Sequence, residues 1–383
     1  MMSEIIIATT MRPFGETGVQ THFNAYSEYL TTHNIPHRIV TPFSYHLFFV
    51  YPVFAVRKIL QTLSGELNVW WYRYWHAFFL RLALKKRLKS GRDCIVYAQC
   101  PLSADAALKA RVSVNQRVVL VIHFNVSQAD EWREKGVIAH DGWLFSTIRN
   151  FEANLLPQLD GLVFVSRFMH SQLLSRIPAI AEIPAVVAPN FLPDPGPPAT
   201  CAAKADLINI GTLETRKNQQ YLLEIIAKLQ SLGMPVTLTI VGDGPDRSML
   251  EEKARSLNIS HLVHFAGFVR NASESIPAHQ AYIHVATIEN LPVTLIEAMS
   301  RQRPVFAIPA GGILEVISEG GFAVSLPIND ASAAAELIAN ALNNREWMLN
   351  AGQAARECFV KTYTSEVCAK KLTGFLESMT DKV

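Results

Sequence analysis

Short apolar runs alternate with amphipathic stretches along almost the whole chain. Runs of this kind fit strands buried on both faces of a parallel sheet, and the stretches between them fit the covering helices. In the first half the predicted strands are residues 5–9, 38–41, 94–98, 117–122, 161–165 and 186–188, with helices at 19–33 and 103–111 among others. Leu192-Pro-Asp-Pro-Gly-Pro-Pro-Ala-Thr-Cys201 then places four prolines in ten residues, which neither helix nor sheet tolerates, so it reads as a linker. A second series follows, with strands at 206–210, 236–241, 263–265, 282–287, 304–308 and 322–325 and helices at 219–232, 247–257, 293–300 and 331–343. The tail, about 350–380, is helical in pattern. The expected fold class is α/β: two doubly wound domains, 1–195 and 203–355, facing across a cleft, with ligands at the carboxyl ends of the strands.

Composition narrows this picture. The chain of 383 residues is 49% hydrophobic and 18% charged, enough to bury two cores and too apolar for long disordered segments. Its five cysteines are odd in number and lack C-x-x-C spacing, which argues for a reducing, cytoplasmic setting. The N-terminus has the acid Glu4 where a secretion signal would be basic. Residues 1–199 hold 19 Lys and Arg against 14 Asp and Glu, whereas the remainder holds 16 against 19, so the halves suit different partners. No nucleic acid is expected among them.

Candidate chemistry concentrates in the second half. Ala281-Tyr-Ile-His-Val-Ala-Thr-Ile288 reads as a buried strand closed by Glu289, and Glu297 lies eight positions on, in a helix starting after Pro292. A strand end, tight loop and helix start make an anion site, where backbone N–H groups and the positive end of the helix face a phosphate. A carboxylate beside a phosphate is repelled unless it has another duty, and sugar hydroxyls supply one. Gly211-Thr-Leu-Glu-Thr-Arg-Lys-Asn218 puts Arg216 and Lys217 at a helix mouth, where an intervening anion would relieve their conflict with the helix dipole. Val241-Gly-Asp-Gly-Pro245, Phe265-Ala-Gly-Phe268 and Pro309-Ala-Gly-Gly-Ile-Leu-Glu315 add small-residue turns that let backbone approach a ligand.

Together these residues resemble the retaining glycosyltransferases of GT-B fold with an E-x7-E motif, family 4, group 1-like. Gly15-Glu-Thr-Gly-Val-Gln-Thr-His22 resembles the family's glycine loop, His123 its sugar-facing histidine, and Ser166 and Pro189-Asn190 smaller markers. The resemblance implies two Rossmann-like domains, the first for the acceptor and completed by a helix at about 360–383, the second for the nucleotide sugar. It implies that Glu289 holds hydroxyls of the donor sugar and Glu297 the ribose, with Arg216 and Lys217 on the diphosphate. His123 would contact the transferred sugar, and Gly18 would let its loop close on the phosphates. Glu289, His123 and Lys217 are thus the catalytic candidates. Gly18, Arg216, Thr212, Gly242, Asn290, Leu291, Pro292, Val293, Thr294 and Glu297 are the substrate-binding ones.

The chain departs from the family pattern at Thr212, where arginine is usual, at Thr17, where a second glycine is common, and in Glu289-Asn-Leu-Pro292. No Asp-x-Asp triad occurs, so neither a metal nor a cofactor is expected beyond the nucleotide-diphosphate sugar. The implied reaction is hexosyl transfer with same-face attack, to a glycan or lipid-linked acceptor. The alternatives are a GT-B protein of other activity, epimerase-like, or a non-catalytic sugar-nucleotide-binding subunit.

One segment is not explained by this chemistry. Residues 68–89 combine Trp, Tyr and Phe with a cationic end, and within 29–92 ten basic residues face the single acid Glu66. On a helix this suits a membrane interface, or else a domain helix whose aromatics are core. The preceding 46–56 run is apolar but short and interrupted by Pro52.

Overall fold

The computed structural model describes residues 3–380 apart from Glu16, 197–202 and Glu319. The chain forms two compact units, Met1–Pro189 with Ser365–Val383, and Asn190–Thr364. Sequence assigned 190–195 to the first domain. The structure places these residues with the second, because Leu192 N–H donates to the Tyr363 carbonyl at 3.1 Å and Arg356 grips Asp194 at 2.6 and 2.9 Å. Residues 197–202 of the proline-rich linker lie outside the described residues.

The first unit holds a parallel sheet of β1 (Glu4–Ala8), β2 (His37–Val40), β3 (Cys94–Ala98), β4 (Gln116–Ile122), β5 (Gly161–Phe164) and β6 (Ala185–Val187), ordered β2-β1-β3-β4-β5-β6. The second is built from β7 (Ala205–Ile210), β8 (Leu238–Val241), β9 (Val263–Gly267), β10 (His279–His284), β11 (Val305–Ala307) and β12 (Ala323–Ser325), ordered β12-β11-β10-β7-β8-β9. Ile5, Ile6, Ile7, Val96, Tyr97 and Val118–Ile122 are essentially solvent-free, as strands covered by helices on both faces require. Each unit is a Rossmann-like sheet whose strand order reverses once, between β1 and β3 in the first and between β7 and β10, at the centre, in the second.

Helix starts follow local capping chemistry. Thr17 and Gln20 form a reciprocal capping box at helix Gly18–Thr32, Ser166 caps Arg167–Arg176, and Asp330 caps Ala331–Asn343. The closing helix, Ser365–Ser378, packs on the first unit, where Thr373 Oγ1 lies 3.0 Å from the Tyr26 hydroxyl.

The aromatic segment is helix Gly65–Leu88, and it divides between core and surface. Val69, His76, Phe79, Leu80, Ala83 and Leu84 are buried, whereas Trp70, Tyr74 and Phe78 are exposed at helical spacing. The apolar run before it is also helical, Leu47–Leu63, with Pro52 inside and Val50 its one buried residue. Proline removes only one backbone donor near this helix's start, and the Trp71 indole N–H docks the helix through the Val53 carbonyl at 2.9 Å. Among the described residues no helix is long and apolar enough to cross a membrane.

Candidate active site

β7 and β10 are hydrogen-bonded neighbours, yet the chain leaves them toward opposite edges of the sheet. That is a topological switch point, and the loops after the two strands must part there and leave a crevice. After β7 the chain makes a short 3-10 turn, Thr215–Lys217, and Asn218 takes a left-handed conformation (φ 57°) before helix Gln219–Ser231 begins. Gly242 (φ 141°) supports this loop from β8: a side chain there would collide with the Gly211 carbonyl. Gln219 Nε2 holds the Thr212 carbonyl at 3.1 Å.

The strand expected to reach Ile288 ends at His284. Beyond it the backbone leaves the sheet and turns toward the β7 loop, with Thr287 N–H donating to the Arg216 carbonyl at 3.1 Å. Gly312 N–H holds the Glu289 carbonyl at 3.1 Å, and Asn190 Nδ2 holds that of Leu291 at 2.8 Å. Helix Val293–Ser300 then starts directly after Pro292. Its first turn offers N–H groups with no partner inside the helix.

These constraints bring Glu289, Lys217 and Arg216 together. The Lys217 ammonium donates to Glu289 Oε1, Arg216 Nη1 stands 3.7 Å from the same oxygen, and Arg216 Nε pairs with Glu214 at 2.5 Å. Burial alone would raise the Glu289 carboxyl, but the charges of Lys217 and Arg216 outweigh it and hold the group below the usual carboxylate range. The anion expected between the two cations is therefore supplied by the protein's own Glu289 and Glu214. Asn290 and Val293 are buried, and Glu297 is half-buried in the second turn of its helix.

Sequence reasoning missed three members of this cluster. Glu214 stands in the Gly211–Asn218 run two positions before Arg216, and that spacing was the available signal. His284 and Tyr282 were read as part of an apolar strand, although a histidine at its end was the available signal. His284 is 2% exposed, and its Nε2 faces Glu289 Oε1 at 3.9 Å. Burial first, then the Lys217 charge, pushes its pKa down to about 3. The buried Tyr282 hydroxyl is pushed up by burial and by both Glu297 and Glu289.

In the first unit, His123 directly follows β4. Its Nε2 lies 3.3 Å from Gln99 Oε1, and its ring meets that of His22 edge-on at 4.7 Å. Burial and His22 push its pKa well below the ordinary value. Gly18 is the exposed first residue of its helix.

Residues 17–193 match the family described as Glycosyltransferase Family 4, and residues 202–358 match glycosyl transferases group 1. The chain belongs to these GT-B glycosyltransferases. One relative is the GDP-mannose-dependent alpha-(1-6)-phosphatidylinositol monomannoside mannosyltransferase of Mycobacterium tuberculosis, 26% identical over 61% of this chain and 66% of that protein. Another is the N-acetyl-alpha-D-glucosaminyl L-malate synthase of Bacillus anthracis, 28% identical over 42% of each chain. The match thus spans just under two thirds of the first relative and under half of the second. Among solved structures, Anabaena Alr3699/HepE in complex with UDP superposes with a TM-score of 0.71 at 16% identity, over 98% of this chain and 100% of that one. As a glycosyltransferase of this family, the chain carries its polar cluster in the unit matched by the group 1 description.

Proposed function

We propose that this glycosyltransferase moves a hexosyl group from a nucleotide-diphosphate sugar to a glycan or lipid-linked acceptor, with retention and without a metal. The observation that carries the reading is the Lys217–Glu289–Arg216 cluster at the β7/β10 switch point, beside the start of helix Val293–Ser300. Two cations and helix N–H groups suit a diphosphate, and a carboxylate among them suits sugar hydroxyls. Glu297, one helical turn further on, takes the ribose, and Thr212, Gly242 and residues 290–294 frame the nucleotide. For His123 and Gly18 the reading keeps the roles that the resemblance gives.

In the proposed reaction the bond from the anomeric carbon to the diphosphate oxygen breaks, and its electron pair leaves with the phosphate. Lys217 and Arg216 stabilise the growing charge, an effect typically worth about 10²–10³ in rate per donor. The acceptor hydroxyl attacks on the same face, and its proton passes to the departing phosphate oxygen. No protein nucleophile is needed, because phosphate is already a good leaving group and the enzyme's task is positioning.

A lipid-linked acceptor at the inner membrane face, in cell-surface polysaccharide or glycolipid synthesis, is supported by the exposed stripe on helix Gly65–Leu88. Trp70, Tyr74 and Phe78 are followed on the same face by Arg81 and Lys85, an arrangement that seats aromatics at the lipid boundary and cations among headgroups. A relative named for a phosphatidylinositol mannoside points the same way. The test is a thermal-shift screen with UDP-, GDP- and dTDP-sugars, followed by transfer assays with the donor that binds. Binding without turnover on any glycan or lipid acceptor would favour the non-catalytic subunit instead.

A further inference from the structure

We propose that His284 is a positioning residue of the donor site, taking over the Glu289 carboxylate when a bound diphosphate draws Lys217 away, with Tyr282 linking it to Thr294. The inference rests on the donor reading given above.

In the structure Glu289 is held by the same cations that a diphosphate would need. A buried carboxylate that loses its partner to an incoming anion must find another or be destabilised. His284 Nε2 is placed for this: it is buried, has no hydrogen-bond partner among the described residues, and stands 3.9 Å from Glu289 Oε1. A shift of about 1 Å would bring it to hydrogen-bond distance.

The imidazole is neutral, so it carries one N–H. The Tyr282 hydroxyl has one hydrogen, which in the structure it donates to Thr294 Oγ1; turned instead to Nδ1, 3.3 Å away, it leaves the imidazole hydrogen on Nε2, aimed at the carboxylate. The same hydroxyl lies 2.8 Å from Thr294 Oγ1, in the first turn of helix Val293–Ser300. The chain Thr294–Tyr282–His284–Glu289 thus joins the phosphate-facing helix start to the carboxylate that meets the sugar. Glu289 is kept in place while its cations turn to the diphosphate.

The test compares the native protein with His284→Phe, His284→Gln and Tyr282→Phe. Dissociation constants are measured for UDP, GDP, UDP-glucose and GDP-mannose, and kcat and KM for transfer with the sugar that binds. His284→Phe is expected to leave the affinity for the free nucleoside diphosphate unchanged. It should erase the extra affinity contributed by the sugar and lower kcat by roughly 10–100-fold, the worth of one hydrogen bond to a charged group. His284→Gln, which keeps an N–H donor, is expected to restore most of the loss, and Tyr282→Phe to lower kcat several-fold. Native kcat in His284→Phe, or an equal loss in both His284 variants with nucleotide binding intact, would overturn the proposal. If His284→Phe does not fold, the Gln and Tyr282→Phe variants decide: native kcat in Tyr282→Phe, or a crippled Gln variant, overturns it. A native protein that binds none of the four nucleotides overturns the donor reading, and this proposal with it. Intact binding with an unaffected His284→Phe overturns this proposal alone.

Discussion

Asn190 Nδ2 donates to the carbonyl of Leu291 at 2.8 Å, pinning the loop that carries Glu289 from a point 101 residues earlier in the chain. Both groups are buried. Asn190→Ala leaves that carbonyl without its partner and is expected to cost about 1–3 kcal/mol of stability. Urea denaturation measures the cost. Because the loop backbone faces the proposed diphosphate, the variant should also bind nucleotide more weakly.

Removing Glu289 should separate two properties usually lost together. Glu289→Ala takes away the carboxylate that neutralises Lys217 and Arg216, so UDP or GDP alone should bind at least as tightly as to the native protein. Transfer should fall by about 10²–10³, as for loss of a transition-state donor. Calorimetric titration beside a transfer assay checks both, and undiminished transfer would remove Glu289 from the reaction.

Stability should depend on pH through His284. Its folded pKa of about 3 lies below the ordinary value of 6.5, so the unfolded chain binds the proton first. The contribution is complete above pH 6.5 and is lost as pH falls toward the folded value. At one proton the loss reaches about 2 kcal/mol by pH 5. His76, pushed down to about 4 by burial, acts in the same direction in the first unit. Urea midpoints measured between pH 7 and 5 should fall less steeply in His284→Gln than in the native protein.

The exposed aromatic stripe yields a prediction independent of catalysis. Trp70→Ser with Tyr74→Ser and Phe78→Ser should abolish association with vesicles containing anionic lipid while leaving the fold intact, since these side chains contribute little to the core. Changing Lys85, Lys86, Arg87 and Lys89 to Ala should weaken association by about 1 kcal/mol per cation and flatten its salt dependence. Sedimentation with vesicles reads both effects, and native association by the triple variant would return the stripe to an ordinary surface.

Much of this architecture was legible because local pattern and tertiary environment agree. The runs at Cys94–Ala98, Val293–Ser300 and Ala331–Asn343 keep the bounds read from sequence, each framed by a turn, a proline or a cap. The Arg216–Lys217 pair and Glu289 were legible as charges near strand ends, and the structure brings them into contact. What sequence did not show were properties of three-dimensional placement. The apolar run to Ile288 stops early as a strand because its last residues bond across to the Arg216 loop instead of to a neighbouring strand. Helix Gly65–Leu88 serves core and surface at once, since buried and exposed aromatics alternate around it. The pairing of Arg216 with Glu214, two positions earlier in the same loop, follows from the backbone of the 3-10 turn and not from residue type.

The adjacency of β7 and β10 also bears on how the protein comes to be. Lys217 and Glu289 are 72 positions apart, and β8 and β9, two strands that add to the other side of β7, are synthesised between them. A nascent chain with only β7, β8 and β9 in register would have half of the sheet and no place for a nucleotide. The pocket comes into being only when β10 joins on the far side of β7, a long-range closure of the kind that slows folding. A nucleotide that binds there therefore recognises a second unit whose sheet has closed across β7. By mass action it would draw late, nearly complete chains toward the native state.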